Sequence, residues 1–211
     1  GQQMPFWDRR IESIVATHPD ADHVGGLAAV VSRYRVATYL SNGAERESEV
    51  FHNLKQSLDS DHSIERSVIG TGSKIMFPGG AELRVLFPEN GEAGMIGETN
   101  EGSIVTRLSF GDASFLLTGD LPREETVLPG IVPTKVLKVA HHGSKYSTSD
   151  EWLSRVQPDD AVVSVGKNRY GHPSDEVLSR LRQRGTRILR TDQRGDIVYV
   201  CREATCHLEG K

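Results

Sequence analysis

No stretch of this 211-residue chain approaches the about 18 apolar residues that a membrane-spanning helix needs. Its first residues also lack the basic-then-apolar pattern of a secretory leader. If a parent protein has a membrane anchor or leader, it is therefore expected outside the chain. Cysteine is scarce: only Cys201 and Cys206 occur, five apart, which is not the spacing of a zinc knuckle. They read as an unremarkable thiol pair, with a local disulfide as the alternative, and two cysteines do not assign a compartment. Nor is there an excess of positive charge. The net charge is −4, so no global basic signature advertises nucleic acid, although bound metals and local arginines can supply positive potential. Internal repeats, low-complexity tracts and domain linkers are all absent. With 36% hydrophobic residues, the chain is long enough for one domain over 1–211 with a full core.

Strand-like and helix-like segments alternate. Strands are expected at 11–17, 36–40, 64–69, 82–87, 103–110, 113–118, 135–140, 161–165, 187–190 and 196–200. Helices are expected at 24–34, 46–58, 123–128, 149–156 and 174–184. Pro78-Gly79-Gly80 and Gly111-Asp112 are turns, and 88–99, rich in glycine and glutamate, reads as a loop. Flanks of βα type around a hairpin-rich middle predict an α/β fold of the α+β kind, with mixed sheets and helices packed outside.

The densest chemistry lies in Thr17-His18-Pro19-Asp20-Ala21-Asp22-His23-Val24-Gly25-Gly26. Four metal-capable side chains, His18, Asp20, Asp22 and His23, fall within six residues, fed by the apolar Ile14-Val15-Ala16. Imidazole nitrogens mixed with carboxylate oxygens suit zinc, manganese or iron. In an extended loop, residues two apart point the same way. His18, Asp20 and Asp22 then converge while His23 faces the other side, leaving room for two ions. The competing reading is a polar loop whose aspartates cap the following helix.

Further polar residues stand at strand ends. Asp120 follows Phe115-Leu116-Leu117-Thr118-Gly119 and reads as a metal ligand, or as a helix cap before Leu121-Pro122. His141-His142-Gly143-Ser144 follows the apolar run 136–140. One imidazole can bind metal or donate a proton while the other orients it, and His142 is the choice for the inward-facing ring. Val163-Ser164-Val165-Gly166-Lys167-Asn168 repeats the theme, with Lys167 placed to meet a phosphate or an oxyanion. His172, held extended by Pro173, can cap the next helix or touch substrate. Asn100 and Ser103 precede a strand and can hydrogen-bond substrate or form a turn. Arg180, Arg182, Arg184, Arg187 and Arg190 make either a solvated face or a basic edge.

In this order the motifs resemble the metallo-β-lactamase superfamily, whose signature is His-x-His-x-Asp-His. Here Asp20 stands in place of the second histidine. That variant resembles the C-terminal domains of ComEC-type competence proteins and their stand-alone relatives. So do Asn100-Glu101-Gly102-Ser103, Leu117-Thr118-Gly119-Asp120, His141-His142-Gly143-Ser144, Ser164-Val165-Gly166-Lys167-Asn168 and Tyr170-Gly171-His172-Pro173. The resemblance implies an αββα sandwich, with the family's opening strands missing from this chain. It also implies a divalent-metal hydrolase of nucleic-acid phosphodiesters that degrades the DNA strand not taken up during competence. The setting would be the extracytoplasmic face of a membrane, reached through a parent protein.

The roles implied are metal ligation by His18, Asp20, Asp22, His23 and Asp120, with Asp120 shared between two ions. Asp22, His142 and Lys167 would be catalytic, and Asn100, Ser103, His141, Ser144 and His172 would meet substrate. Lys167 where many members place a histidine, and Asn100 near the place of another, shift the expected metal from zinc toward manganese. The alternatives are a hydrolase of a small lactone, thioester or cyclic phosphodiester, and a non-catalytic domain that grips DNA or an assembly.

Overall fold

The computed structural model describes residues 4–89 and 99–210, so most of the loop expected at 88–99 lies outside the described residues. The chain forms two compact units, one of residues 1–70 with 88–104, the other of 71–87 with 105–211.

In the first unit, β1 (Arg10–Ala16) leads to a short helix, α1 (Ala21–Val24), and then to α2 (Leu27–Arg33). The apolar pattern predicts one helix over 24–34. Gly25-Gly26 divides it, because glycine costs about 1 kcal/mol against alanine in a helix interior. β2 (Arg35–Ser41), α3 (Glu49–Ser60) and β3 (Glu65–Val68) follow. The strands pair in parallel in the order β1-β2-β3, and parallel neighbours require the helical crossovers that α1–α2 and α3 provide. Ser48 starts α3, its Oγ accepting the Phe51 N–H at 3.2 Å. Leu54 and Leu58, one turn apart, are buried in one cluster with Ala16, Val24, Val31, Val36, Tyr39 and Ile64. Each leucine, valine or isoleucine of this cluster contributes about 1.5–3 kcal/mol on burial. Because Ala16 and Val24 both sit in this core, the loop between them is held at both ends.

The second unit runs through β4 (Lys74–Met76), β5 (Glu82–Phe87), β6 (Val105–Phe110), β7 (Ala113–Leu117), α4 (Glu124–Val127) and β8 (Val136–Lys138). It continues with α5 (Asp150–Val156), β9 (Asp160–Val163), α6 (Asp175–Gln183), β10 (Arg187–Arg190), α7 (Thr191–Arg194), β11 (Tyr199–Arg202) and β12 (Thr205–Leu208). Seven strands form one sheet in the order β10-β9-β8-β7-β6-β5-β4. The sheet is antiparallel from β4 to β7 and parallel from β7 to β10. In the parallel half Leu117 lies opposite Lys138, and Lys138 opposite Val162. The loops leaving β7, β8 and β9 therefore emerge side by side at the carboxyl ends of the strands, where α/β sheets place their chemistry. Ser149 and Ser174 cap α5 and α6 through the N–H groups of Trp152 and Val177. Trp152, Leu153 and Val156 of α5 and Val177, Leu178 and Leu181 of α6 are buried.

The elements not expected, β4, α7 and β12, are three or four residues long, too short to show a periodicity. β11 and β12 form an antiparallel hairpin with Cys201 opposite Cys206 in a disulfide, so the local bridge replaces the expected thiol pair. The hairpin turn rests on Gly111, whose φ is +54°. A Cβ there would lie 2.1 Å from the Ala204 carbonyl oxygen, and that oxygen accepts the Asp112 N–H at 3.2 Å. The Tyr199 hydroxyl donates to Asp160 Oδ2 at 2.6 Å, and Arg187 holds the same carboxylate in bidentate fashion at 2.6 and 2.7 Å. A bridge closing so short a loop stabilises the fold by about 2 kcal/mol. Reduction, or a Cys201→Ser/Cys206→Ser variant, should lower the unfolding midpoint accordingly. An unchanged midpoint would mean that the Asp160 cluster holds the hairpin alone. Among the described residues no helix is long and apolar enough to cross a membrane.

Candidate functional site

In the first unit the ligand-rich loop begins where β1 ends. His18 is 1% exposed. Its Nδ1 lies 3.0 Å from Thr17 Oγ1 and 3.3 Å from Ser103 Oγ, so two hydroxyls fix the plane of the ring through one nitrogen. The His23 ring stands 4.1 Å from it, centroid to centroid, and Asp22 Oδ2 is 4.0 Å from His23 Nε2. The extended-loop reading places His23 on the opposite side from His18. Helix α1 instead begins at Ala21, so the two-residue alternation ends at Asp20 and His23 turns back against His18.

Asp20 occupies the N-cap position of α1 but makes no side-chain cap hydrogen bond. Its Oδ1 accepts from the Arg46 guanidinium and from the Thr99 hydroxyl. Burial alone would raise its carboxyl. The Thr99 and Arg46 hydrogen bonds, with the His18 and Arg46 charges, outweigh burial and hold it below the usual carboxylate range. Thr99 opens a single 3₁₀ turn, Thr99–Gly102. Asn42, just past β2, anchors that turn by donating to the Gly102 carbonyl at 2.8 Å. The Ile104 N–H ties the following residues to the Thr17 carbonyl at 2.9 Å. Asn100, inside the turn, has a buried side-chain oxygen with no hydrogen-bond partner among the described residues.

In the second unit Asp120 follows β7 and is 2% exposed. No helix starts at Leu121; α4 begins only at Glu124, with Arg123 at its N-cap position. Its Oδ1 is 3.5 Å from Lys138 Nζ and its Oδ2 is 3.3 Å from His142 Nε2. His142 Nδ1 lies 2.6 Å from the Ser164 carbonyl. A carbonyl can only accept, so Nδ1 carries the hydrogen and Nε2 is directed at Asp120. The hydrogen bond with Asp120 is the main cause that raises the His142 pKa. Burial opposes it, while the Asp120 charge and the Ser164 carbonyl reinforce it.

The loop that achieves this is unusual: His141, His142 and Gly143 have φ of 47°, 54° and 85°. Left-handed backbone costs about 1–2 kcal/mol per non-glycine residue. Gly143 is obligatory, because a Cβ would lie 2.6 Å from that of Pro173. The Gly143 carbonyl accepts the Ser174 N–H at 2.9 Å, which joins this loop to the one after β9. There the His172 ring lies edge-on to His141 at 5.5 Å, and burial, then the His141 and His142 charges, lowers its pKa. Ser174, not His172, caps α6.

Of the expected site residues, the first unit gathers His18, Asp22, His23 and Ser103 and engages Asp20 with Arg46. The second pairs Asp120 with His142 and brings His141 to His172. Ser144 is 2% exposed and its carbonyl accepts from Ser147, a turn-forming role, while Lys167 is exposed in the loop after β9. Arg46, Thr99, Asn42 and Lys138 were not foreseen. Of these only Lys138 carried a signal, a charge inside the apolar run Val136-Leu137-Lys138-Val139. The donor chemistry fits a divalent cation. Each unit offers carboxylate and imidazole together, His18 and His142 are oriented through the nitrogen that would face away from an ion, and Asn100 adds an orphaned buried oxygen.

The model of the metallo-beta-lactamase superfamily matches residues 8–167. The chain belongs to this superfamily. It is 34% identical over 197 residues to ComE operon protein 3 of Bacillus subtilis and 32% identical over 197 residues to competence protein ComA of Neisseria gonorrhoeae. Each match covers 90% of this chain and 25% of the relative, so the chain spans a quarter of the length of these proteins. Among solved structures, CmlA, a diiron beta-hydroxylase from Streptomyces venezuelae, matches with a TM-score of 0.58 at 15% identity, covering 90% of this chain and 45% of that one. Zn(2+)-bound PqqB from Methylobacterium extorquens matches at 0.51 and 13% identity, covering 85% and 71%. Igni18, a metallo hydrolase from Ignicoccus hospitalis, matches at 0.52 and 14%, covering 95% and 80%. These structures share the mixed α/β superfamily fold. Membership of the superfamily supports metal-dependent hydrolysis as the general activity and leaves the metal itself open.

Proposed function

We propose that the chain is a metal-dependent phosphodiesterase that cleaves single-stranded DNA. The observation that carries the reading is the Asp120–His142 pair, a buried carboxylate and an imidazole whose ligand nitrogen is already aimed by Ser164. In the second unit Asp120 and His142 would hold one divalent ion. In the first unit His18, Asp22 and His23 would serve a second ion, joined by Asp20 only through exchange of Arg46. An ion bound there supplies a Lewis acid for a phosphoryl oxygen and a water with its pKa lowered toward about 7.

The chain's own residues do the rest. Ser164 keeps the His142 hydrogen on Nδ1, and Lys138 sets its ammonium 3.5 Å from Asp120 Oδ1. His141, the neighbouring imidazole, is assigned to the proton needed by the leaving oxygen, and Lys167 to phosphate charge. The competence relatives support DNA as the polymer. The Cys201–Cys206 disulfide supports an oxidising, extracytoplasmic location.

Purified protein should cleave single-stranded DNA with manganese or zinc, and Asp22→Ala should abolish cleavage. No cleavage with any divalent metal, in this chain and in any longer protein that contains it, would overturn the reading.

A further inference from the structure

Two joined loops of the second unit carry an aromatic and cationic surface that metal ligation does not explain. Segment 139–149 contains Lys145 and no aspartate or glutamate, and segment 161–174 contains Lys167 and Arg169 and again no acid, in a chain of net charge −4. Lys145, Lys167 and Arg169 are all exposed. Each loop also presents a tyrosine to solvent, Tyr146 at 68% exposure and Tyr170 at 84%. Rings of that size are ordinarily covered, since leaving one exposed forgoes the burial energy of a large apolar face.

The rings are also held. Lys145 Nζ stands 5.0 Å from the centre of the Tyr146 ring. The Asn168 side chain organises the other loop: it donates to the carbonyls of Gly166 and His172 at 3.0 and 2.8 Å. It also accepts the N–H groups of Tyr170 and His172 at 3.0 and 3.1 Å. The Tyr170 ring lies nearly parallel to His172, 24° between planes and 6.0 Å between centres.

We propose that Tyr146 and Tyr170 are stacking platforms for the bases of an unpaired nucleic-acid strand, with Lys145, Lys167 and Arg169 on its phosphates. Aromatic faces interleaved with cations match the two halves of a single strand, a base with a π-face and a phosphate with a charge. A duplex keeps its bases stacked on one another and would use the cations alone. The inference deepens the phosphodiesterase reading by naming residues that select unpaired substrate. Binding does not require cleavage, so the two can fail separately.

The test is fluorescence anisotropy with a labelled phosphorothioate single strand, a duplex and an abasic strand of equal length, in manganese and again in EDTA. The single strand should bind about tenfold tighter than the abasic strand, and Tyr146→Ala and Tyr170→Ala should each weaken it about tenfold. Tyr→Phe at either position should leave affinity unchanged. Lys167→Ala and Arg169→Ala should instead reduce the salt dependence, which the tyrosine variants should not. Equal affinity for the three probes, or alanine variants that bind as the native protein does, would overturn the proposal. Base-dependent binding without hydrolysis would sink the phosphodiesterase reading and keep this one.

Discussion

Replacing Asp120 with asparagine should lower hydrolysis by about a thousandfold, because loss of the Lewis-acid contribution is worth several kcal/mol and each 1.36 kcal/mol is tenfold in rate. The substitution keeps the volume of a side chain that is 2% exposed. It removes the charge that faces Lys138 Nζ at 3.5 Å and His142 Nε2 at 3.3 Å. Two consequences separate a ligand from a merely structural carboxylate. Bound manganese or zinc per chain, measured by elemental analysis after desalting, should fall sharply. The His142 pKa should drop, since Asp120 is the principal cause of its elevation. Lys138 loses the Asp120 charge at 3.5 Å, so some stability is lost too, but circular dichroism should report a folded chain. A variant that keeps its metal and its rate to within tenfold would remove Asp120 from the centre and take the proposed ligand set with it.

The residues that were legible in the sequence are those whose signal is local. His18, Asp20, Asp22 and His23 crowd one short segment between an apolar strand and a glycine pair, and ligand chemistry at that density has few other uses. Asp120 and His142 were legible as polar tips on apolar strands, and the parallel register of β7, β8 and β9 is what places such tips together. What stayed hidden depends on partners far away along the chain. Arg46 and Thr99 reach Asp20 across 26 and 79 residues, so nothing near Asp20 marks it as a carboxylate already engaged by a guanidinium. The facing of His23 was misread for a different reason. The start of α1 at Ala21 changes the period from two to 3.6 in the middle of the motif, and no cap side chain announces it. The disulfide was undecidable from spacing alone. It depends on a left-handed turn at Glu203 and Ala204, two residues with no intrinsic preference for that conformation.

Glu124 should make the fold less stable as pH rises from 4.5 to above 7. The residue is fully buried at the start of α4. Its oxygens accept the Thr148 N–H at 3.1 and 2.9 Å and the Thr148 hydroxyl at 3.3 Å. Burial is the dominant influence and raises the carboxyl from 4.5 to about 7, only partly offset by the hydrogen bonds from its own backbone N–H and from Thr148. A carboxyl that holds its proton more tightly when folded stabilises the fold in acid. The contribution is complete below the unfolded value of 4.5 and is lost as pH rises through about 7. At 1.36 kcal/mol per pH unit, the gap between those values is worth about 3 kcal/mol.

Other carboxylates, such as Asp20 and Asp160, are shifted downward and act in the opposite direction at lower pH, so a bare stability profile mixes the two. Glu124→Gln isolates the effect, since the amide oxygen still accepts from Thr148 while the titration is gone. The difference in denaturant-derived stability between native protein and variant should change by about 3 kcal/mol between pH 4.5 and 7.5, the native chain losing ground as pH rises. A difference that stays flat across this range would show that Glu124 titrates normally. The location gives the effect a functional reach. Thr148 follows the turn that runs from Ser144 to Ser147, and Arg123, beside Glu124, donates its N–H to the Tyr146 carbonyl at 3.2 Å. Glu124 thus titrates against the segment that immediately follows the left-handed His141-His142-Gly143 loop.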